Sequence, residues 1–280
     1  MANIWLITQT LFKLLNLNNE YWLQIIMAFY IVSIHVIDRN AMDFTLLVGI
    51  LIIFSIIQSV IGVGLLVFGT PTLMIMGYSF QETLSIVLPA SICISFLQVL
   101  ESSQSAKAFR KEFNIFCLPF VFLGLSLVLI MNEKIDLSIF VGVMLIISGA
   151  IRISKRLSAW LSRFILKFRK VYQVIMGSIH GLTNMGGGLL TLFSSSIHGN
   201  KDETRAGVAY GYLLMGLLQY GVLLFFHPSF IKLNILIYLF IAFISYSLFG
   251  KRLYVNTQEK VFHNAITGII LTYGVILIAK

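Results

Sequence analysis

Charge is the first thing this sequence lacks. Of its 280 residues only 11% are Asp, Glu, Lys or Arg, against about 25% in a soluble domain. Proline is scarce, with 4 residues, and cysteine scarcer still, with 2. Too little charge to keep a surface in water excludes a soluble enzyme and a disordered regulator. Two cysteines far apart, Cys93 and Cys117, each inside an apolar run, exclude a disulfide scaffold and read as small buried hydrophobes. Near the N-terminus only Lys13 is basic and no small-residue cleavage site follows, so no cleaved signal peptide is expected.

What is present is apolar: 58% hydrophobic residues, 23 phenylalanines and a mean hydropathy of +0.93. Windows free of Asp, Glu, Lys and Arg run over 44–81, 83–100, 113–132, 137–151, 171–200, 206–231, 233–250 and 261–279. Continuous apolar runs of this kind predict helices rather than the alternating strands of a barrel. The expected fold class is all-α, a polytopic membrane protein of about eight transmembrane helices. Residues 21–37 are a weaker ninth candidate, either an interfacial helix or a short extra span.

The net charge of +9 does not imply nucleic acid, because the excess is local. Arg152, Lys155, Arg156, Arg163, Lys167, Arg169 and Lys170 lie in one connection without an acid among them, which predicts a cytoplasmic loop. In the same stretch Leu157, Trp160, Leu161, Phe164, Ile165 and Phe168 recur at helical spacing, the pattern of a basic amphipathic helix on an anionic leaflet. The organisation expected is an N-terminal segment 1–42, a first four-helix repeat 43–151, the linker 152–170 and a second repeat 171–280.

The repeat rests on three matches in the same order: GVGLLVF at 62–68 with GGGLLTL at 186–192, QET at 81–83 with DET at 202–204, and LQ at 97–98 with LQ at 218–219. An even number of spans per half predicts parallel halves. Lys251, Arg252 and Lys260 would then face away from the other basic loops, so either one glycine-rich segment is re-entrant or the stronger linker charges override this weaker loop.

Glycine and proline concentrate where chemistry is expected. Gly62, Gly64, Gly69 and Pro71 interrupt the first long window, and Asn184, Gly186, Gly187 and Gly188 interrupt its counterpart. Paired interruptions in two halves point to a transporter's midplane site, where broken helices present N–H groups to an anion. Close helix packing is the alternative use of such glycines. No Asp or Glu lies inside a window, which argues against a cation carrier. Glu82 and Glu203 follow Ser79 and Asn200 by three residues, so helix capping competes with proton coupling as their role. Gln98 and Gln219 project from apolar runs, as inter-helix bonds or as contacts to a bound oxyanion. His180 reads as a packing residue or a ligand. No metal-ligand spacing, nucleophile–base pair or cofactor motif is visible.

The segments SVIGVGLLVFGTPTL (59–73) and HGLTNMGGGLL (180–190), with the QET and DET helix starts, resemble the TauE/SafE family of sulfite exporters and related permeases. The resemblance spans about residues 43–280. It implies a protein of the bacterial inner membrane that moves sulfite, organosulfonates or other small anions. The helix breaks and matched glutamines give Gly62, Gly64, Pro71, Gln98, Asn184, Gly186, Gly187, Gly188 and Gln219 as the expected substrate-binding set. The rival expectation is a non-transporting membrane partner that stabilises or localises another complex.

Overall fold

A computed structural model describes residues 42–102, 107–131, 137–198, 200–230, 233–250 and 270–279. The candidate span 21–37 and the basic residues Lys251, Arg252 and Lys260 lie outside them. Among the described residues every regular element is helical. The first group is α1 (Met42–Ile61), a π-helical turn (Leu65–Gly69), α2 (Thr70–Ile75), α3 (Phe80–Glu101), α4 (Lys107–Phe116), α5 (Leu118–Met131) and α6 (Leu137–Ile153). Then follow α7 (Lys155–Lys167), α8 (Arg169–Thr183), α9 (Gly187–Ile197), α10 (Lys201–Phe226), α11 (Asn234–Ser245) with a second π-helical turn (Tyr246–Gly250), and α12 (Ile270–Ala279).

Among the described residues three apolar helices are long enough to cross a membrane: Phe80–Glu101, Phe109–Met131 and Asp202–Phe226. The others are shorter, and α6 meets α7 at a bend of 101°. The outer surface is itself apolar. Ile130 is 67% exposed, Phe225 81% and Phe240 62%, a cost that lipid removes and water does not.

The long helices start where the capping residues predict. Ser79 closes a full capping box: its Oγ accepts the Glu82 N–H at 3.2 Å, and Glu82 Oε2 accepts the Ser79 N–H at 2.8 Å. Asn200 Oδ1 accepts the Glu203 N–H at 2.8 Å to start α10. Both glutamates therefore sit at helix starts, one of them holding its own cap.

Two helices turn back on themselves. The first π-helical turn runs back along α1, with the Phe54 and Phe68 rings 5.9 Å apart. Likewise α9 returns along α8: Tyr172 Oη donates to the Leu189 carbonyl at 2.9 Å and its ring stacks on Phe193 at 5.7 Å. Each pair is a helical hairpin.

This arrangement overturns the expectation of parallel halves. The side chains of Gln98 and Arg205 both donate to the Ser59 carbonyl, at 3.2 and 2.8 Å, while Ile92 lies beside Gly216. So α3 and α10, the helices that carry QET and DET, run antiparallel. The same holds for α6 and α12, where Gly142 meets Gly274 and Ile278 while Gly149 meets Leu271.

α7 is tied to the end of α9 by a Ser196–Ser162 hydroxyl bond of 3.2 Å, and α9 leads directly into α10. Gly250, at the end of the second π-helical turn, rests against Ser59 at the same end of the bundle. Gly250 thus lies on the face that holds the linker. Lys155, Arg156, Arg163, Lys167, Arg169 and Lys170 are all exposed there. With this face cytoplasmic, a Lys155→Cys variant in a cysteine-free background should be labelled by an impermeant maleimide only after the membrane is opened. Labelling from outside intact cells would reverse the orientation.

Candidate functional site: two opposed helix breaks

The hairpin tips are built alike. In the first, α1 ends at Gly62, whose φ of +85° is the left-handed conformation that suits glycine. Its N–H bonds to the Gln58 carbonyl at 2.8 Å, and the next helical bond runs from Phe68 N–H to the Gly64 carbonyl at 2.8 Å. In the second, α8 ends at Asn184, φ +60°. Its N–H bonds to the His180 carbonyl at 2.8 Å, and Leu190 N–H bonds to the Gly186 carbonyl at 2.8 Å. Gly62 thus answers to Asn184 and Gly64 to Gly186, two residues away from the register of the matched glycine strings.

The surrounding side chains match too. Gln98 Nε2 donates to the Gln58 carbonyl at 3.0 Å, and Gln219 Nε2 donates to the His180 carbonyl at 3.3 Å. Both glutamines therefore take up carbonyls at the end of a broken helix, the inter-helix bond of the two roles expected.

Chemically the two breaks differ. At the first, Gln58 satisfies almost everything: its Oε1 accepts the Leu65 N–H at 3.1 Å, and its Nε2 reaches Ser91 Oγ at 2.9 Å and Ser95 Oγ at 3.2 Å. A methyl at Gly64 would come within 2.6 Å of the Gln58 backbone nitrogen, so this glycine serves close backbone packing. Pro71 is buried in the first turn of α2, where its missing N–H costs nothing.

The second break leaves polar atoms over. His180 Nδ1 accepts the Gly186 N–H at 3.2 Å, so a neutral ring carries its proton on Nε2. Gln219 lies against that imidazole. Asn184 Nδ2 donates to Thr70 Oγ1 at 2.9 Å, which ties the second tip to the start of α2 on the first hairpin's returning arm. A methyl on Gly187 would overlap the Tyr212 hydroxyl and lie 2.7 Å from Val67 Cγ2. The Tyr212 hydroxyl therefore sits directly on the first turn of α9, where the N–H groups of a helix have no partners of their own. Tyr212 and Asn184 are fully buried, and Tyr212 Oη and Asn184 Oδ1 have no hydrogen-bond partner within the protein, while at the first break Gln98 Oε1 has none. A buried polar atom without a protein partner calls for an explanation, which a ligand or water supplies.

Of the residues expected from sequence, Asn184, Gly186, Gly187 and Gln219 come together here, with His180. Gly188 points elsewhere, its added methyl meeting Ser148 of α6 at an ordinary 3.5 Å. Gly62, Gly64, Pro71 and Gln98 belong to the first tip. Tyr212 and Thr70 were missed; the available signal was a tyrosine inside an apolar window. Among the described residues no group of three His, Cys, Asp or Glu could hold a metal.

The family model described as sulfite exporter TauE/SafE matches residues 46–277. The chain belongs to the TauE/SafE family. It is accordingly a membrane transport protein rather than an enzyme, and the match covers both hairpins and all the long helices. No curated protein and no solved structure matches the chain.

Proposed function

We propose that this TauE/SafE protein is a secondary transporter of the bacterial inner membrane that carries a small anion, sulfite or an organosulfonate, through the point where the two hairpin tips meet. We read the chain as two inverted four-helix repeats, 43–151 and 171–280, joined by the basic linker 152–170, with the preceding residues 1–42 outside the repeat. The shared bonding of the two tips and the antiparallel pairing of α3 with α10 support that reading. Inverted repeats with discontinuous helices at their interface are the common build of secondary transporters.

The observation that carries the proposal is the Tyr212 hydroxyl, buried without a partner on the N-terminal turn of α9. Such a turn attracts negative charge through its N–H groups and its dipole, and the hydroxyl adds a further donor aimed at the same place. The first tip, closed by Gln58, then serves as the structural counterpart, so substrate contacts belong to Asn184, Gly186, Gly187 and Tyr212. Counterflow in proteoliposomes tests this: labelled sulfite should exchange against unlabelled sulfite, with sulfate and taurine compared in parallel. No exchange of any of the three by folded protein would defeat it.

A further inference from the structure

We propose that His180 is the proton carrier of this site: its ring takes up a proton at Nδ1 when the anion binds at the second break and gives it up when the anion leaves, so that anion and proton cross together. The inference rests on the reading of this break as the binding site, and adds what moves with the anion.

The imidazole is bonded on both sides, and only one side can change. Gln219 hydrogen-bonds the ring; because its Nε2 is given to the His180 carbonyl at 3.3 Å, its Oε1 is the end that accepts the Nε2–H. That bond serves a neutral and a charged ring alike. On the other side Nδ1 accepts the Gly186 N–H at 3.2 Å, which it can do only with its lone pair bare. A proton added there, drawn from the water on the side the anion enters, turns this acceptor into a donor. The Gly186 N–H then loses its partner, and two donors face each other at the hairpin tip. One anion oxygen that accepts from both satisfies them together. Without the anion the proton breaks a bond; with the anion it makes one.

Charge leads to the same conclusion. Residues 62–75, 118–131, 137–151, 171–197 and 206–226 make up the elements that meet around the second break, and they hold no Asp, Glu, Lys or Arg. Of titratable groups, Tyr212 of α10 stands with its ring 6.3 Å from the imidazole, and Cys117 of α5 meets Gly177, three residues before His180. Neither can supply a positive charge. His180 is fully buried, so an imidazolium alone and an anion alone would each leave a charge uncompensated at membrane depth, and each completes the other. Their binding is therefore mutually reinforcing. The first break shows the uncharged version. Gln58 stands four residues before Gly62, as His180 does before Asn184, and its Oε1 accepts the Leu65 N–H at 3.1 Å; an amide takes no proton.

The probe is methanesulfonate, which stays a monoanion over the working pH range, so any proton taken up belongs to the protein. Calorimetry on purified full-length protein, repeated in buffers of different ionisation heat, should show about one proton taken up per anion bound, with affinity falling about tenfold for each unit that pH rises over that range. His180→Gln copies the first break. It should bind about tenfold more weakly, without proton uptake and without pH dependence. If that variant does not accumulate or binds too weakly to measure, wild-type protein labelled at the ring nitrogens of its 5 histidines gives the answer by magnetic resonance: the anion should convert one neutral ring to an imidazolium. Wild-type binding without proton uptake overturns this inference and leaves the anion site standing. Full proton uptake by His180→Gln, or histidine rings that all keep their spectrum, overturns it as well. Failure of methanesulfonate, sulfite and taurine alike to bind folded protein removes the site itself.

Discussion

Gly187→Ala should abolish anion exchange, while Gly188→Ala, one residue later in the same glycine string, should leave it within a few-fold of wild type. The added methyl at 187 meets the Tyr212 hydroxyl, the Tyr212 Cζ at 2.8 Å and Val67 Cγ2 at 2.7 Å. Tyr212 is fully enclosed, so neither partner can swing away without moving α10 or the first hairpin tip. Overpacking of this kind costs about 1–3 kcal/mol, and it falls on the turn whose N–H groups face the anion. At 188 the methyl meets Ser148 Oγ at 3.5 Å and Cβ at 3.7 Å, an ordinary contact that needs no rearrangement. Both variants are assayed by counterflow after matching the amount of folded protein reconstituted. Equal activity of the two variants would show that the glycine string provides only backbone clearance.

Tyr212→Phe should do two opposite things: raise the melting temperature of the ligand-free protein and weaken anion binding at least tenfold. The hydroxyl is buried without a partner, and a group in that state costs about 1–3 kcal/mol. Removing it relieves that cost in the empty protein. With anion present the same hydroxyl donates to a charged acceptor, a bond worth about 1.5–3 kcal/mol, or roughly one to two orders of magnitude in affinity. Thermal unfolding with and without sulfite measures both effects in one experiment. A tyrosine that merely packs would gain the same stability and leave affinity alone, so unchanged binding, whatever the melting temperature, would sink the assignment.

Much of the architecture could be read from composition. The absence of charge over long stretches marks helices in lipid, and Ser79 and Asn200 mark where α3 and α10 begin. The seven cations of 152–170 mark the linker. What periodicity could not supply was direction. A hairpin and a span have the same composition, because lipid demands apolar residues of both, and only the stacking of Tyr172 on Phe193 separates them. Lys251 and Arg252 held that information in their charge, since their sign conflicted with eight full crossings. At the site, glycine and asparagine were legible because their backbone conformations are restrictive. Tyr212 was not: in an apolar helix a tyrosine that packs and one that binds are spelled the same way, and the difference lies in whether its hydroxyl finds a partner. The role of Gln58 was hidden for a related reason, because an amide that knits a broken helix together by contacts 33 and 37 residues away has no local pattern.

The contact between α5 and α8 bears on how such a molecule can move. Gly177 lies against the carbonyl of Cys117, a methyl at Gly181 would stand 2.5 Å from the Val121 carbonyl, and one at Gly124 would stand 3.1 Å from the Ser178 carbonyl. Backbone touches backbone along this seam, with no side chains between to re-pack, and the seam joins a helix of the first group to a helix of the second. Prising the halves apart would forfeit a long stretch of close backbone packing that lipid tails fill less well. The hinge of any transport cycle therefore belongs elsewhere, in the short arms. α9 is 11 residues long, about 16 Å, and the same length of chain forms the arm of the first hairpin. A substrate that passes here is handed over by two levers the size of half a bilayer, while the frame that holds them stays shut.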